Sequence, residues 1–122
     1  MIHTSVITCF DPDLGSLISL CKSLLKQNSK ILLVDNSENP LRLDDLNLES
    51  NKLRHIKFNK NMGIAYAQNI GIKESLKDKS RFITFFDQDS VIEDNFIKNI
   101  LRDIESKTDG IITPFAIDIN NG

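Results

Sequence analysis

Two carboxylates stand two residues apart in Phe85-Phe86-Asp87-Gln88-Asp89-Ser90, where an apolar run gives way to polar turn residues. Such a pair suits a hard divalent cation. Mg²⁺ and Mn²⁺ prefer oxygen ligands, keep several waters and complete their coordination from substrate phosphates, so one or two carboxylates suffice. An isolated Asp-x-Asp more often ends a strand and caps the next helix, so its meaning depends on what stands beside it. Three further clusters follow apolar runs in the same way: Asp11, Asp35-Asn36-Ser37 and Asn61-Met62-Gly63. The Asp35 cluster reads either as an Asx turn or as an acid accepting a hydrogen bond from a base imide or a ribose hydroxyl. Gly63 permits the positive φ of a tight turn. Asn69 and Gly71 fall inside a helical stretch, where both are poor formers. The asparagine suggests a polar contact, and the glycine close packing or a close approach by something else.

The elements that must position these residues alternate between strand and helix. Ser5 to Phe10, Ile31 to Val34, Leu53 to Phe58, Arg81 to Phe86 and Ile111 to Ile117 are short apolar or alternating runs, predicted as strands. Between them, Leu14, Leu17, Ile18, Cys21, Leu24 and Leu25 recur at helical steps, with Pro12 and Asp13 suited to the first turn. Further helices are predicted from Ile64 to Lys77 and from Asp94 to Ser106. The stretch from Glu38 to Lys52 lacks a clear period and reads as a loop with at most a short helix. Strands alternating with helices give an α/β fold with a mostly parallel sheet and helices on both faces. Right-handed crossovers predict the order 3-2-1-4. In such a sheet ligands bind beyond the carboxyl ends of the strands, which is where all four polar clusters fall.

Bulk properties narrow the function. A chain of 122 residues, 40% apolar, holds one compact domain over residues 1–122. Its 15 basic and 17 acidic residues give a net charge of -2 with no basic stripe, which argues against a nucleic-acid partner. Cys9 and Cys21 form no CxxC and read as reduced core residues, consistent with a cytoplasmic setting, with the inner face of the membrane left open. No run approaches the length of a spanning helix. His3 and His55 lack zinc-ligand spacing and read as solvated or hydrogen-bonded side chains. Gly-x-Ser-x-Gly, Walker A and Gly-x-Gly-x-x-Gly patterns are absent, against a serine hydrolase, a P-loop NTPase and a dinucleotide enzyme.

Taken in order, four segments resemble the N-terminal portion of family 2 glycosyltransferases of the GT-A fold. They are Val6-Ile7-Thr8-Cys9-Phe10-Asp11-Pro12, Leu33-Val34-Asp35-Asn36-Ser37, Asn61-Met62-Gly63-Ile64-Ala65 with Ala67-Gln68-Asn69-Ile70-Gly71, and Phe86-Asp87-Gln88-Asp89-Ser90. The Ala-Gln-Asn-Ile-Gly and Asp-Gln-Asp-Ser wording is most similar to bacterial rhamnosyltransferases, which use dTDP-rhamnose to build surface polysaccharide. The resemblance implies that Thr8, Phe10 and Asp11 line the nucleotide site, that Asp35 contacts the base and that Asn69 lies near the ribose or diphosphate. It gives Asp87 a contact with the ribose or with water around the cation, and Asp89 the cation itself, Mn²⁺ or Mg²⁺. Where relatives often carry Tyr-Asn after the first-strand threonine, this chain has Cys9-Phe10-Asp11.

The implied partners are a nucleoside-diphosphate sugar, dTDP-rhamnose or a UDP-sugar, and a glycan or lipid-linked acceptor, with a homodimer as a further expectation from exposed apolar surface. The general base of inverting relatives comes from a later segment and has no equivalent here. The chain therefore reads as a truncated donor-binding domain that binds donor without completing transfer. Three other readings compete. Phe86 to Ile92 also resembles the nucleophile-and-acid loop of haloacid-dehalogenase-like phosphatases, although that family places it after the first strand. A non-catalytic nucleotide-sugar-binding module is the alternative outside enzymes. A receiver-like signalling domain also clusters acids at strand ends, but its expected late lysine is missing.

Overall fold

A computed structural model describes residues 3–105 and 111–112. In chain order the elements are β1 (His3–Cys9), α1 (Leu14–Lys26), β2 (Lys30–Asp35), a 3-10 turn (Leu43–Leu46), β3 (Leu53–Lys57), α2 (Ile64–Lys77), β4 (Phe82–Asp87), α3 (Phe96–Glu105) and β5 (Ile111–Ile112). The strands pair in parallel in the order β3-β2-β1-β4-β5. The expected order 3-2-1-4 is therefore observed, with β5 added beside β4. Residues 113–117 of the predicted last strand, and Ser106 of the predicted last helix, lie outside the described residues.

Alternation along the strands sends successive side chains to opposite faces, and each face has its own core. Ile7, Cys9, Ile31, Leu33, Leu53 and Phe86 pack with Leu17, Leu20, Cys21 and Leu24 of α1 and with Phe96, Ile97 and Ile100 of α3. Val6, Leu32, Val34, Ile83 and Phe85 pack with Ala67 of α2. Helices thus cover both faces, as the uninterrupted apolar run of β2 requires. The buried stripe of α1 uses Leu20, and Leu14 is exposed instead. Leu14 is the first residue of the helix, directly after the Asp13 N-cap, whose carboxylate accepts from Ser16 N and Oγ at 2.9 Å each.

Gly71 is explained by this packing. A Cβ at that position would lie 2.5 Å from Val6 Cγ1, so the glycine lets α2 settle against β1. Close packing within the chain accounts for it without a ligand.

At the opposite end of the sheet from the polar loops, His3 is buried between two hydroxyls. Nδ1 lies 2.8 Å from Ser29 Oγ and Nε2 2.7 Å from Thr84 Oγ1, and Ser29 Oγ also meets Ser5 Oγ at 2.8 Å. Hydroxyls can donate or accept, so the neutral ring is satisfied on both sides. Burial lowers the His3 pKa from 6.5 to about 4. The unfolded chain therefore binds a proton that the folded chain refuses between those values. Stability should be fully present above pH 6.5 and fall as the pH drops toward 4, by on the order of 3 kcal/mol. Urea unfolding across this range should show the loss in the native chain and a flatter profile in His3→Gln; matching profiles would refute it.

Candidate functional site

The parallel register brings the carboxyl ends of the strands level. Thr8 pairs with both Val34 and Asp87, Cys9 with Asp35, and Asp35 with Lys57. Beyond them opens a cleft of about 390 Å³ lined by Thr8, Cys9, Phe10, Asn36, Asn61, Gly63, Ile64, Asp87, Gln88 and Asp89. Phe10 and Asn61 also border an adjoining cleft of about 400 Å³ with Asp11, Glu38 and Asn39. The two clefts share Phe10 and Asn61, and form a groove with Asp87 and Asp89 lining the first part and Asp11 the second. The Phe10 side chain is 49% exposed at the point the two clefts share.

The acid pair fits a hard cation. Burial first, and then the neighbouring charge of Asp89, push the Asp87 carboxyl above its usual range. A divalent cation beside the two carboxylates would relieve the cost that burial and Asp89 place on ionised Asp87. Among the described residues there is no cluster of three or more His, Cys, Asp or Glu able to enclose a metal. An ion held by Asp87 and Asp89 therefore needs water and phosphate oxygens as well, which is the habit of Mg²⁺.

The loops are tied to one another by side chains inside the same motifs. Gln88 Oε1 accepts from Phe10 N at 2.6 Å while its Nε2 donates to Phe10 O at 3.1 Å. Asn36 Oδ1 accepts from Met62 N at 3.0 Å and its Nδ2 donates to Gly63 O at 3.2 Å. Asn61 Oδ1 accepts from Gly63 N at 2.9 Å, and Gly63 itself adopts φ 87° and ψ 159°, a conformation open to glycine. Ser37 Oγ accepts at 2.7 Å from the N–H of Asp11, which has φ 42°. Sequence reading gave Asn36, Ser37 and Gln88 no role of their own. The available signal was a short amide or hydroxyl beside each strand-ending acid, a type that bonds nearby backbone.

Two of the expected site residues stand elsewhere. Asp35 is wholly buried: Oδ1 accepts from Ser37 N at 3.0 Å, and Oδ2 from Leu41 N at 3.3 Å and from His55 Nε2 at 2.9 Å. Burial works to raise this carboxyl, but the hydrogen bonds from His55 and Ser37 outweigh it and hold it below the usual carboxylate range. The reason is parity. Asp35 continues the Ile31 and Leu33 row toward the α1 face, whereas Thr8 and Asp87 continue the Val6 and Phe85 rows toward α2. In this arrangement Leu41 N and His55 Nε2 occupy the Asp35 oxygen Oδ2, so a base approaching that oxygen would displace one of them. Asn69 is exposed on α2, outside the residues that line the groove. Thr8, Phe10, Asp87 and Asp89 do come together, and Asp11 borders the adjoining cleft.

Residues 5–122 match the family model described as glycosyl transferase family 2. The chain belongs to glycosyltransferase family 2. This glycosyltransferase-family chain is also 39% identical over 114 residues to a dTDP-rhamnosyl transferase, RfbF, of Shigella flexneri. That alignment covers 93% of the chain and 38% of the relative's length. No solved structure matches it. The family assignment agrees with the acid pair following β4 rather than the first strand, which removes the main support for a haloacid-dehalogenase-like phosphatase.

Two properties of the family 2 chain complete the description. Cys9 and Cys21 are buried free thiols; burial first, then the charges of Asp35 and Cys21, raise Cys9, and burial pushes Cys21 up to about 12. Among the described residues no helix is long and apolar enough to cross a membrane.

Proposed function

We propose that the chain forms the donor side of a glycosyltransferase, holding a nucleoside-diphosphate sugar along the groove with a divalent cation at Asp87 and Asp89. One observation carries the reading: Thr8, Phe10, Asn61, Asp87 and Asp89, from segments that follow or end separate strands, line a single cleft. On this reading the pyrimidine lies on the half-exposed Phe10 ring, and the amides of Asn39 and Asn61 offer donors and acceptors to the base edge. The diphosphate then runs past Thr8 toward the two aspartates.

A Mn²⁺ or Mg²⁺ ion held by Asp87 and Asp89 would supply charge stabilisation for the nucleoside diphosphate that leaves when an acceptor hydroxyl displaces it from the anomeric carbon. Asp87 and Asp89 orient that end of the donor, Gly63 allows the backbone of the α2 entry to approach it, and Asn36 fixes that entry. The relative's name supports thymidine over uridine and rhamnose as the transferred sugar. The acceptor is taken to be a glycan, free or lipid-linked, and the setting the cytoplasm or the inner face of the membrane.

Calorimetric titration of the chain with dTDP, with and without Mn²⁺, tests this. The metal should strengthen binding by about tenfold or more, the equivalent of roughly 1.4 kcal/mol. Equal affinity in the two conditions would exclude the cation role, and absence of binding in both would exclude the donor cleft.

A further inference from the structure

The Asp-Gln-Asp motif contains a residue that neither holds a cation nor faces the phosphate as a charge, yet makes two hydrogen bonds. Gln88 grips both backbone polar groups of Phe10, accepting from its N–H at 2.6 Å and donating to its carbonyl at 3.1 Å. Phe10 lies beyond β1 and Gln88 beyond β4, two strands that are direct neighbours in the sheet. Phe10 also sits where the two clefts meet, and Gln88 stands between the two acids. We infer that Gln88 is a positioning residue that fixes the distance between the Phe10 platform and the Asp87/Asp89 pair, and so sets the preference of the groove for a nucleoside diphosphate over a monophosphate.

This rests on the donor-cleft reading above and deepens it. A ligand that spans two subsites gains most when their separation is fixed beforehand, because no ordering cost is left to meet on binding. A diphosphate reaches from the platform to the acids; a monophosphate reaches less far and gains less from the fixed spacing. The adjacent strands alone do not impose that spacing, since Phe10 and Gln88 both lie past the last paired residues of β1 and β4. A two-point amide contact supplies it, and a residue able to make one bond or none does not.

The test compares dTDP and dTMP binding in the presence of Mn²⁺, by calorimetry, for the native chain and for Gln88→Met. Methionine keeps the length and loses both bonds. The native chain should favour dTDP, and the dTMP-to-dTDP ratio of dissociation constants should fall by about tenfold in the variant, mostly through weaker dTDP binding. Hydrogen exchange at the Phe10 amide should accelerate in the same variant without any ligand. An unchanged ratio, whether both affinities hold or both drop together, would overturn the positioning role while leaving the donor cleft standing. Failure of the native chain to bind either nucleotide would overturn both. Should Gln88→Met not fold, Gln88→Asn, one methylene too short to make both bonds, gives the same comparison.

Discussion

Replacing Asp35 by alanine should cost about 3–5 kcal/mol of stability, because it leaves buried hydrogen-bond donors unsatisfied at about 1–3 kcal/mol each. Its carboxylate is fully buried and accepts from three donors: Ser37 N, Leu41 N and His55 Nε2. Alanine would leave all three facing a small apolar void. A domain's whole stability is about 5–15 kcal/mol, so this is a large share of it. Asp35→Asn should also destabilise, because whichever way the amide turns, its NH₂ meets a backbone N–H. His55→Ala should cost less, since Asp35 keeps both backbone donors and His55 borders a cleft with Arg42, Lys57 and Asn59. Urea midpoints for the three variants give the ranking, and an Asp35→Ala chain as stable as the native one would refute it.

The pH dependence separates Asp35 from His3. The Asp35 carboxyl is held below its ordinary 3.8, so its contribution is present above that value and is lost as the pH falls through the lower, folded value. His3 loses its contribution earlier, between 6.5 and about 4. Acid unfolding should therefore proceed in two windows, with His3→Gln flattening the upper one alone.

The fold was legible because the signals that fix it are local. The continuous apolar run of β2 marks a strand covered on both sides, the spacing in α1 gives a buried stripe, and the polar clusters after β1 to β4 mark the ends where ligands bind. The placement of Asp35 was less legible. Its parity with Ile31 and Leu33 could be read from the sequence, but not which sheet face would meet α1 and which α2, since that depends on crossovers and packing. The hydrogen-bonded state expected of His55 is observed, but its partner was not legible, for a related reason. Its partner lies 20 residues away on the neighbouring strand, a relation that register reveals and spacing does not. Gln88 and Asn36 were quoted within motifs as neighbours of the acids, yet their amides bind backbone in other loops. Gly71 was ambiguous until Val6 was found against it.

Stability and binding should move in different directions when the acid pair is neutralised, and that contrast gives the sharpest test of the site. Ionised Asp87 is disfavoured in the folded chain by burial and by Asp89, so without a cation the pair opposes folding at neutral pH. Asp87→Asn and Asp89→Asn should therefore leave the metal-free chain as stable as the native one, or more so. Binding should respond oppositely, because each variant removes one of the two carboxylates available to anchor the ion. Mutating even the outer partners of metal ligands typically lowers affinity by about 10–100-fold, and a direct ligand should matter no less. The Mn²⁺-dependent gain in dTDP affinity should thus disappear in Asp89→Asn and shrink in Asp87→Asn, while any metal-independent binding at the Phe10 end persists. Thermal unfolding without metal and dTDP titration with Mn²⁺, run on the same variants, supply both halves. Retention of the full metal effect in Asp89→Asn would remove the cation from this site. Equal loss of metal-free stability and of binding would mark the aspartates as structural residues, because a general loosening of the β4 loop lowers both together.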